Sequence, residues 1–520
     1  MYVEKGVKKL APIVEMKGIY KEFPNVVALN HVDFSLEKGE IHALIGENGA
    51  GKSTLMKILY GIYDQDEGTV KINGEEKNIS DAREAMRLGI GMVHQEFMLA
   101  ETMTVLENII LGFEPNKHKL LDYDKAYSEV MDYSEKYGFE IRPNSKVINI
   151  SVGEAQRVEI LKALYRGAEV LILDEPTAVL TPQETEELFK IIRSLKENGK
   201  TIIFISHKLD EVLEIADRIT VMRKGNKVET LSQNDATKEK LAYLMVGREV
   251  FLDFEIEENE PGDRILEVKN LNVFGRRKLS NLKDVSFEIK EGEILGVAGI
   301  DGNGQTELVE ALTGLRKVES GEIKIRGEEI TNKSPLEIRH HGVSHIPEDR
   351  NKTGLCKELT IQENLIANKL PDDPYSSKIG IINFKRVKNF AEELIDKFDI
   401  RPPKTDVKMQ NLSGGNAQKV IVAREVAEDA GLIIASQPTR GIDIGSIEFI
   451  RSVLLDERKA GKAVLLVSAD LEEILSLSDR IIVMYEGEIQ GTLDIEEANE
   501  NNLGLMMTGG NPDFKGGVTA

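Results

Sequence analysis

The chain has 520 residues, of which 41% are apolar and 30% charged, and it carries a net charge of −22. Its single cysteine, Cys356, excludes an internal disulfide and a cysteine-based zinc site. The acidic balance argues against nucleic acid as the main partner, because cationic contacts to phosphate supply most non-specific affinity. The single cysteine makes a reducing cytosol the expected compartment. No apolar run reaches the ~20 residues of a spanning helix, so we expect that the chain does not itself cross a membrane.

A phosphate-binding loop lies near the start of the first half. Residues 46–53 fit the pattern G-x-x-x-x-G-K-[ST] between the apolar run IHALI and the helical run TLMKILYGI. Glycines let backbone N–H groups turn around a phosphate, and the N-terminus of the following helix favours the anion. Lys52 is expected to reach the terminal phosphates and Ser53 to ligate Mg²⁺. The expected ATP-binding residues of this loop are Gly46, Glu47, Asn48, Gly49, Ala50, Gly51, Lys52, Ser53 and Thr54.

Further polar residues follow apolar strands of the first half. In LILDEP, a strand ends in Asp174 and Glu175; neighbouring strand-end residues point in different directions, so one can serve a metal and the other can polarise water. His207 follows the strand TIIFI, where it could contact a γ-phosphate, and Gln95 in IGMVHQEFML could bridge metal, water and the helical region beyond.

These motifs resemble those of the ATPase subunit of an ATP-binding-cassette (ABC) transporter, and the resemblance covers nearly the whole chain. It implies the Walker A lysine and serine at Lys52 and Ser53, the Walker B aspartate and the catalytic base at Asp174 and Glu175, the Q-loop glutamine at Gln95 and the switch histidine at His207. The implied catalytic residues are therefore Glu175, His207, Lys52 and Gln95, and the implied Mg²⁺ ligands are Ser53, Gln95 and Asp174. For the aromatic that stacks on adenine, Phe23 is the candidate, with Tyr20 and a core role for Phe23 as open alternatives.

A duplication relates the two halves. Gly39 and Gly46 match Gly292 and Gly299 at an offset of 253 residues, and Ser151 and Pro176 match Ser413 and Pro438 at an offset of 262. Apolar runs alternate with helical stretches in both halves, which predicts mostly parallel α/β sheets; the resemblance adds an antiparallel β region and a helical subdomain. We therefore expect two tandem P-loop domains at 1–250 and 264–508, an acidic linker at 251–263 and a loose tail at 509–520.

The second half departs from the catalytic pattern. By the same offsets, Gln305, Ser436, Gln437 and Ala469 replace the lysine, the two carboxylates and the histidine of the first half. Either Ile346 or Glu348 replaces the Q-loop glutamine. We therefore expect a degenerate second nucleotide site at Gly299, Gly302, Gly304, Gln305 and Thr306, where backbone N–H groups are still able to hold a nucleotide.

The signature motif is distributed in the opposite way. The resemblance to the ABC family implies a head-to-tail pair of domains. In such a pair the phosphate loop of one domain faces an LSGGQ-type signature motif of the other. The first half has the degraded version ISVGE at 150–154, whereas the second half has the nearly complete LSGGN at 412–416. We therefore expect one hydrolytic site, combining the catalytic residues of the first half with Ser413, Gly414, Gly415 and Asn416, and no homodimer is needed to complete it.

Fused twin cassettes with one inactive site most resemble importers of simple sugars and nucleosides, and stretches such as QPTRGIDIGSIEF are closer to the nucleoside branch. The resemblance implies two permease subunits, an external substrate-binding lipoprotein and a peripheral location on the cytoplasmic face of the membrane. The segment 97–112 either docks the permease or packs within its own domain. Ribose- or galactose-type sugars are the alternative cargo. A twin-cassette ATPase acting on ribosomes or DNA is disfavoured by the short linker, the inert second carboxylate site and the lack of zinc cysteines. A purely regulatory protein that binds ATP without hydrolysing it is disfavoured by the intact site of the first half.

Overall fold

The computed structural model describes residues 11–24, 26–94, 97–117, 120–177, 180–250, 259, 261–274, 282–300, 302–370, 374–377 and 380–510. The contacts divide the chain into two compact units, Met1–Val250 (unit 1) and Phe251–Ala520 (unit 2). Most of the predicted linker and all but the first two residues of the predicted tail lie outside the described residues. None of the helices in the described ranges is long and apolar enough to cross a membrane.

The strands of unit 1 are β1 (Val14–Phe23), β2 (Val26–Leu36), β3 (Ile41–Ile45), β4 (Glu67–Ile72), β5 (Glu75–Glu76), β6 (Ile90–Val93), β7 (Asn116–Lys117), β8 (Leu120–Leu121), β9 (Val170–Asp174), β10 (Thr201–Ile205), β11 (Arg218–Arg223) and β12 (Asn226–Ser232). The helices are α1 (Lys52–Leu59), α2 (Ala82–Arg87), α3 (Val105–Ile110), α4 (Tyr123–Tyr137), α5 (Val152–Tyr165), α6 (Pro182–Glu197), α7 (Leu209–Ile215) and α8 (Lys238–Val246).

Two sheets organise unit 1. An antiparallel sheet has the order β2-β1-β4-β5, and a six-stranded sheet has the order β12-β11-β3-β10-β9-β6. The six-stranded sheet is parallel except for its edge strand β12. Every residue of β3, β9 and β10 is buried. Both faces of a parallel sheet are covered, which explains why these strands show no polar alternation and are apolar except at His42, Asp174 and Thr201.

The strands of unit 2 are β13 (Arg264–Val273), β14 (Leu282–Lys290), β15 (Ile294–Ala298), β16 (Ser320–Ile325), β17 (Glu328–Glu329), β18 (Val343–Ile346), β19 (Leu432–Ser436), β20 (Ala463–Ser468), β21 (Arg480–Tyr485) and β22 (Glu488–Asp494). The helices are α9 (Gln305–Leu312), α10 (Pro335–His340), α11 (Ile361–Ile366), α12 (Phe384–Lys397), α13 (Gly414–Val426), α14 (Ile444–Lys459), α15 (Leu471–Leu477) and α16 (Glu500–Met507), with a single π turn at Arg350–Gly354.

Unit 2 repeats the architecture of unit 1. Its sheets have the orders β14-β13-β16-β17 and β22-β21-β15-β20-β19-β18, which match the two sheets of unit 1 strand for strand. The predicted fold class, two tandem P-loop domains with mostly parallel sheets and an antiparallel β region, is confirmed.

A helical layer follows β6 in unit 1 and β18 in unit 2. In unit 1 it consists of α3, α4 and α5, which contact one another, and in unit 2 of α11, α12 and α13, of which α11 contacts both others. Capping boxes begin α3 at Thr104 and α5 at Ser151, where the side-chain oxygen satisfies an N–H group that the first helical turn leaves unpaired. This layer confirms the expected helical subdomain.

Candidate active site

Three adjacent strands bring the predicted catalytic residues of unit 1 to one edge of the sheet. Strand β10 lies between β3 and β9, and its last residue, Ile205, pairs with Leu44 on one side and Asp174 on the other. The phosphate loop follows β3, Glu175 follows β9 and His207 follows β10. Because the carboxyl ends of parallel strands lie at the same edge, the loop, the carboxylates and the histidine form one cluster.

The phosphate loop depends on glycine. Gly51, which precedes α1, has φ = 99°, and a Cβ atom there would lie 2.6 Å from the carbonyl oxygen of Ala28. The side chain of Lys52 lies within the loop, where Nζ donates to the carbonyl oxygens of Gly46 at 2.6 Å and Glu47 at 3.1 Å. Only 7% of Lys52 is exposed. Burial lowers the pKa of Lys52, although the negative charges of Glu175, Asp174 and Glu47 oppose that shift.

Asp174 ends β9 and lies close enough to Ser53 for the serine hydroxyl to act on the pKa of its carboxylate. Burial and the neighbouring charge of Glu175 raise the pKa of Asp174, against the opposing effects of Lys52, Lys57 and Ser53. A buried carboxylate with a like-charged neighbour and a hydroxyl beside it suits a hard divalent cation, which prefers oxygen ligands.

The protein side chains at this site supply only a few of the ligands that such a cation needs. Among the described residues no group of three or more His, Cys, Asp or Glu side chains could hold a metal ion. Mg²⁺ is commonly bound through one or two carboxylates together with phosphate oxygens of the substrate. The arrangement therefore fits a cation that arrives with a phosphorylated ligand better than a resident metal.

Glu175 adopts an uncommon backbone conformation. Its φ of 48° lies in the left-handed region, which non-glycine residues seldom occupy outside turns and functional sites. Its backbone N–H donates to the carbonyl oxygen of Ile205 at 2.9 Å. The carboxylate oxygen Oε1 lies 3.0 Å from Nδ1 of His207; because a carboxylate only accepts, this nitrogen carries the hydrogen. The turn thus directs Glu175 toward His207.

The pKa of Glu175 is lowered by its surroundings. Burial acts to raise it, but the hydrogen bond from His207 and the positive charges of His207, Lys52 and Lys208 together outweigh burial. The carboxylate is therefore kept ionised, which is the state that a general base requires.

A buried carboxylate that the sequence analysis did not single out supports this edge of the sheet. Glu211 accepts from Thr177 Oγ1 at 2.6 Å and from Ser206 Oγ at 3.1 Å through the same oxygen, Oε2. It thereby links the loop after β9 to the end of β10. In unit 2, Thr439 donates to Glu473 at 2.7 Å, so matching Thr and Glu positions in the two halves was a signal present in the sequence.

The structure gives less information on the adenine-stacking candidates Phe23 and Tyr20 and on Gln95. The ring of Phe23 packs edge-on against Tyr63, with centroids 5.4 Å apart, and Tyr20 lies beside His31 at 5.2 Å. Phe23 is partly exposed, and Lys21 Nζ lies 5.7 Å from the centroid of its ring. Its assignment as the aromatic that stacks on adenine stays a prediction, as do the alternatives. Gln95 lies outside the described residues.

Unit 2 has the same backbone conformation at the position that matches Glu175 but lacks the carboxylate and the histidine. Gln437 has φ = 47°, close to that of Glu175, and its N–H donates to Val467 O at 2.7 Å. Its side-chain oxygen accepts from the N–H of Ala469 at 3.3 Å, where unit 1 has the contact between Glu175 and His207. An amide next to alanine cannot act as a general base.

Strand register decides which residue occupies the second Q-loop position. Val93 of β6 pairs with Leu173, and Ile346 of β18 pairs with Ala435, which is the counterpart of Leu173. Ile346 thus corresponds to Val93, and it is a fully buried core residue. Glu348, two residues beyond Ile346, therefore takes the place of Gln95, and it forms an ion pair with Arg440 at 2.6 Å.

The two signature motifs have different polar contacts. In unit 2, Ser413 begins α13, and Asn416 Nδ2 donates to Ser413 Oγ at 2.9 Å. A Cβ atom at Gly415 would lie 2.9 Å from the Cβ atom of Ser446, so this position requires glycine. In unit 1, Glu154 accepts from Arg142 at 2.8 Å and is thereby held in an ion pair that the unit 2 motif lacks.

Comparisons with known proteins agree with these features. The family model described as "ABC transporter" matches residues 29–178 and 282–440. The chain is 49% identical to the nucleoside import ATP-binding protein of Lactococcus lactis subsp. cremoris, over 96% of this chain and 98% of that protein. It is 48% identical to the guanosine import ATP-binding protein of Bacillus subtilis, over 96% and 97%, and 43% identical to the glucose import ATP-binding protein of Haloferax volcanii, over 96% of each chain.

A solved structure titled RNase-L Inhibitor has a similar fold. It matches with a TM-score of 0.63 at 21% identity and covers 94% of this chain and 92% of that one. At this identity the likeness concerns the fold alone.

Proposed function

The chain belongs to the ATP-binding-cassette family of transporter ATPases, and from that premise we propose that it powers the import of nucleosides through a membrane permease. Membership makes it an ATP-binding and ATP-hydrolysing subunit. The observation that carries the proposed cargo is the 48–49% identity to two proteins named for nucleoside and guanosine import, over 96% of the chain, against 43% to one named for glucose import.

The residues at the sheet edge of unit 1 have proposed roles in hydrolysis. The backbone N–H groups of the phosphate loop and Lys52 bind the phosphates. Glu175, kept ionised beside His207, orients and deprotonates the attacking water, and His207 contacts the γ-phosphate as it develops charge. Ser53 and Asp174 would hold Mg²⁺, which when bound neutralises charge on the phosphates.

We propose that the signature residues 413–416 complete this site from the second half. The support is the distribution of defects: unit 1 has the catalytic residues with a degraded signature, and unit 2 has a nearly complete signature with Gln305, Ser436, Gln437 and Ala469 in place of those residues. One competent site and one incompetent site account for both sets of changes. The proposed domain boundaries remain 1–250 and 264–508.

The proposed partners are two permease subunits and an external substrate-binding lipoprotein, with the chain peripheral on the cytoplasmic face of the membrane. In the proposed docking segment 97–112, α3 is largely buried within unit 1, whereas Met98 and Leu111 are 64% and 49% exposed. Met98 is held by its backbone, since its N–H donates to Glu159 at 2.7 Å and its carbonyl oxygen accepts from Lys162 at 3.1 Å. The exposed ends of the segment are therefore the proposed contact points.

Uptake and hydrolysis measured together test this function. We expect labelled nucleosides to enter cells that carry the chain with its permease and not cells that lack the chain, and labelled ribose, galactose and glucose to enter both equally. Uptake of a sugar instead of nucleosides would contradict the cargo. Glu175→Gln is expected to lower both uptake and ATPase activity of the assembled complex by about 10²–10⁴-fold, whereas Gln437→Glu is expected to leave them unchanged. A Glu175→Gln complex that hydrolyses ATP at the unmodified rate would contradict the assigned base.

A further inference from the structure

We infer that the phosphate-loop counterpart of unit 2, residues 299–306, does not take a nucleoside triphosphate, so that each chain binds one ATP, at the loop of unit 1. The inference deepens the proposed function and rests on it, because it concerns how many nucleotides the same ATPase carries. For a nucleoside triphosphate, it goes against the expectation from the sequence that the second loop holds a nucleotide through its backbone N–H groups.

The first argument is the charge on the helix that follows each loop. Helices α1 and α9 match residue for residue at an offset of 253. At three matched positions Lys52, Thr54 and Lys57 are replaced by Gln305, Glu307 and Glu310. Two cations are thus replaced by one neutral amide and one carboxylate, and a second carboxylate enters the first turn.

Glu307 puts a negative charge near the N-terminus of the helix that follows the loop. It lies in the first turn of α9 and is 6% exposed. A carboxylate in a first turn is itself stabilised by the positive end of the helix. The positive end of α9 is therefore already compensated by a fixed negative charge, which repels an incoming phosphate instead of attracting it.

One cation that unit 2 adds beside this helix is committed to other groups. Arg316 replaces Tyr63, the residue on which Phe23 packs in unit 1. Its Nε donates to Glu310 at 2.7 Å and its Nη1 donates to the carbonyl oxygen of Phe274 at 2.9 Å. Its Nη2 also lies 4.0 Å from Glu307. Arg316 thus brings one positive charge against the two new carboxylates, pairs mainly with Glu310, and leaves no net positive charge for a triphosphate.

The remaining anchors of a metal–nucleotide complex are also gone. Ser436 ends β19 where Asp174 ends β9, so the carboxylate that would hold a phosphate-bound cation is missing. The bare loop geometry persists, since Gly302 and Gly304 have φ of 97° and 105°. The loop therefore keeps its backbone shape, but it lacks the lysine of unit 1 and carries a carboxylate that already interacts with the positive end of the helix.

The inference is tested by counting bound nucleotide on the full-length chain. Equilibrium dialysis of the Glu175→Gln chain against labelled ATP and Mg²⁺ is expected to give one ATP per chain. Two ATP per chain would overturn the inference and leave the proposed function standing. No bound ATP would overturn both.

A matched pair of substitutions locates the bound nucleotide. Lys52→Ala and Gln305→Ala change the same loop position in the two units. In the Glu175→Gln background, Lys52→Ala is expected to weaken binding by about tenfold or more, the effect of losing roughly 1.4 kcal/mol of charge interaction, and Gln305→Ala to leave binding unchanged. The reverse result would place the nucleotide in unit 2 and overturn the inference.

Restoring the unit 1 residues tests the physical cause. The combined change Gln305→Lys, Glu307→Thr, Glu310→Lys and Arg316→Tyr is expected to raise the count to two ATP per chain. Glu307→Thr with Gln305→Lys serves as the smaller variant if the fourfold change unfolds in a thermal melt. A folded variant of either kind that still binds one ATP would overturn the electrostatic explanation.

Discussion

Nδ1 of His207 lies 3.0 Å from Oε1 of Glu175, with 27% and 15% of the two side chains exposed. The pair joins the ends of two neighbouring strands, and the histidine opposes the effect of burial on the pKa of the carboxylate. One contact thus keeps the proposed base ionised in a largely buried position. Its counterpart in unit 2 is an amide beside an alanine.

Glu175→Gln is expected to lower ATP turnover by about 10²–10⁴-fold, because a neutral amide cannot take a proton from water. ATP binding is expected to persist, since the phosphate loop and Lys52 are unchanged. Steady-state hydrolysis and nucleotide binding measured on the same preparation check both parts. Hydrolysis at the unmodified rate would contradict the role of Glu175 as base.

His207→Ala is expected to shift the acid limb of the pH–rate profile to higher pH. Removing the histidine deletes a hydrogen bond and a charge that lower the pKa of Glu175 and leaves burial, which raises it. The carboxylate then becomes protonated at a higher pH, so activity falls earlier on acidification. The profile of kcat/KM for the assembled complex reports this shift. Lys208→Ala, which removes a smaller contribution to the same pKa, is the control and should shift the limb less.

Two alanine substitutions in the phosphate loop should differ in their effect on stability. Gly49 and Gly51 both have positive φ, but a Cβ atom at Gly49 has no neighbour within 4 Å, whereas one at Gly51 would lie 2.6 Å from Ala28 O. Gly49→Ala is expected to cost about 1–2 kcal/mol of unfolding free energy and Gly51→Ala about 3 kcal/mol or more. Chemical denaturation measures both; equal costs would show that the close approach to Ala28 is unimportant.

Arg350→Ala is expected to destabilise unit 2 by about 1–3 kcal/mol. Its guanidinium donates to the carbonyl oxygens of Arg440 and Gly441, at 3.0 Å each, and so joins the π turn after β18 to the loop after β19. Lys352→Ala is the control on the same turn, because its side chain is 85% exposed and its ion pair with Asp349 is 3.5 Å long; we expect a change within about 0.5 kcal/mol. Equal effects of the two changes in denaturation curves would contradict the bridging role of Arg350.

Much of the fold and of the site could be predicted from local sequence. Mostly apolar runs identified the buried strands β3, β9 and β10, because a strand covered on both faces has no polar alternation. The glycine pattern located the phosphate loop, because only glycine adopts its backbone angles without strain. The constant offsets revealed the duplication and the four catalytic replacements in unit 2.

Other features depended on which strands are neighbours and in which register. Ile346 and Glu348 could not be distinguished by spacing, and the pairing of β18 with β19 decided for Glu348. The bonds of Glu211 to Thr177 and Ser206, and of Arg316 to Glu310, were likewise not predicted. The sequence by itself determined the chemical groups and the strands that carry them, since these depend on residue type and local periodicity. Only the tertiary structure decided which groups touch, because contact between side chains distant in sequence requires the chain to be brought together by strand pairing and burial.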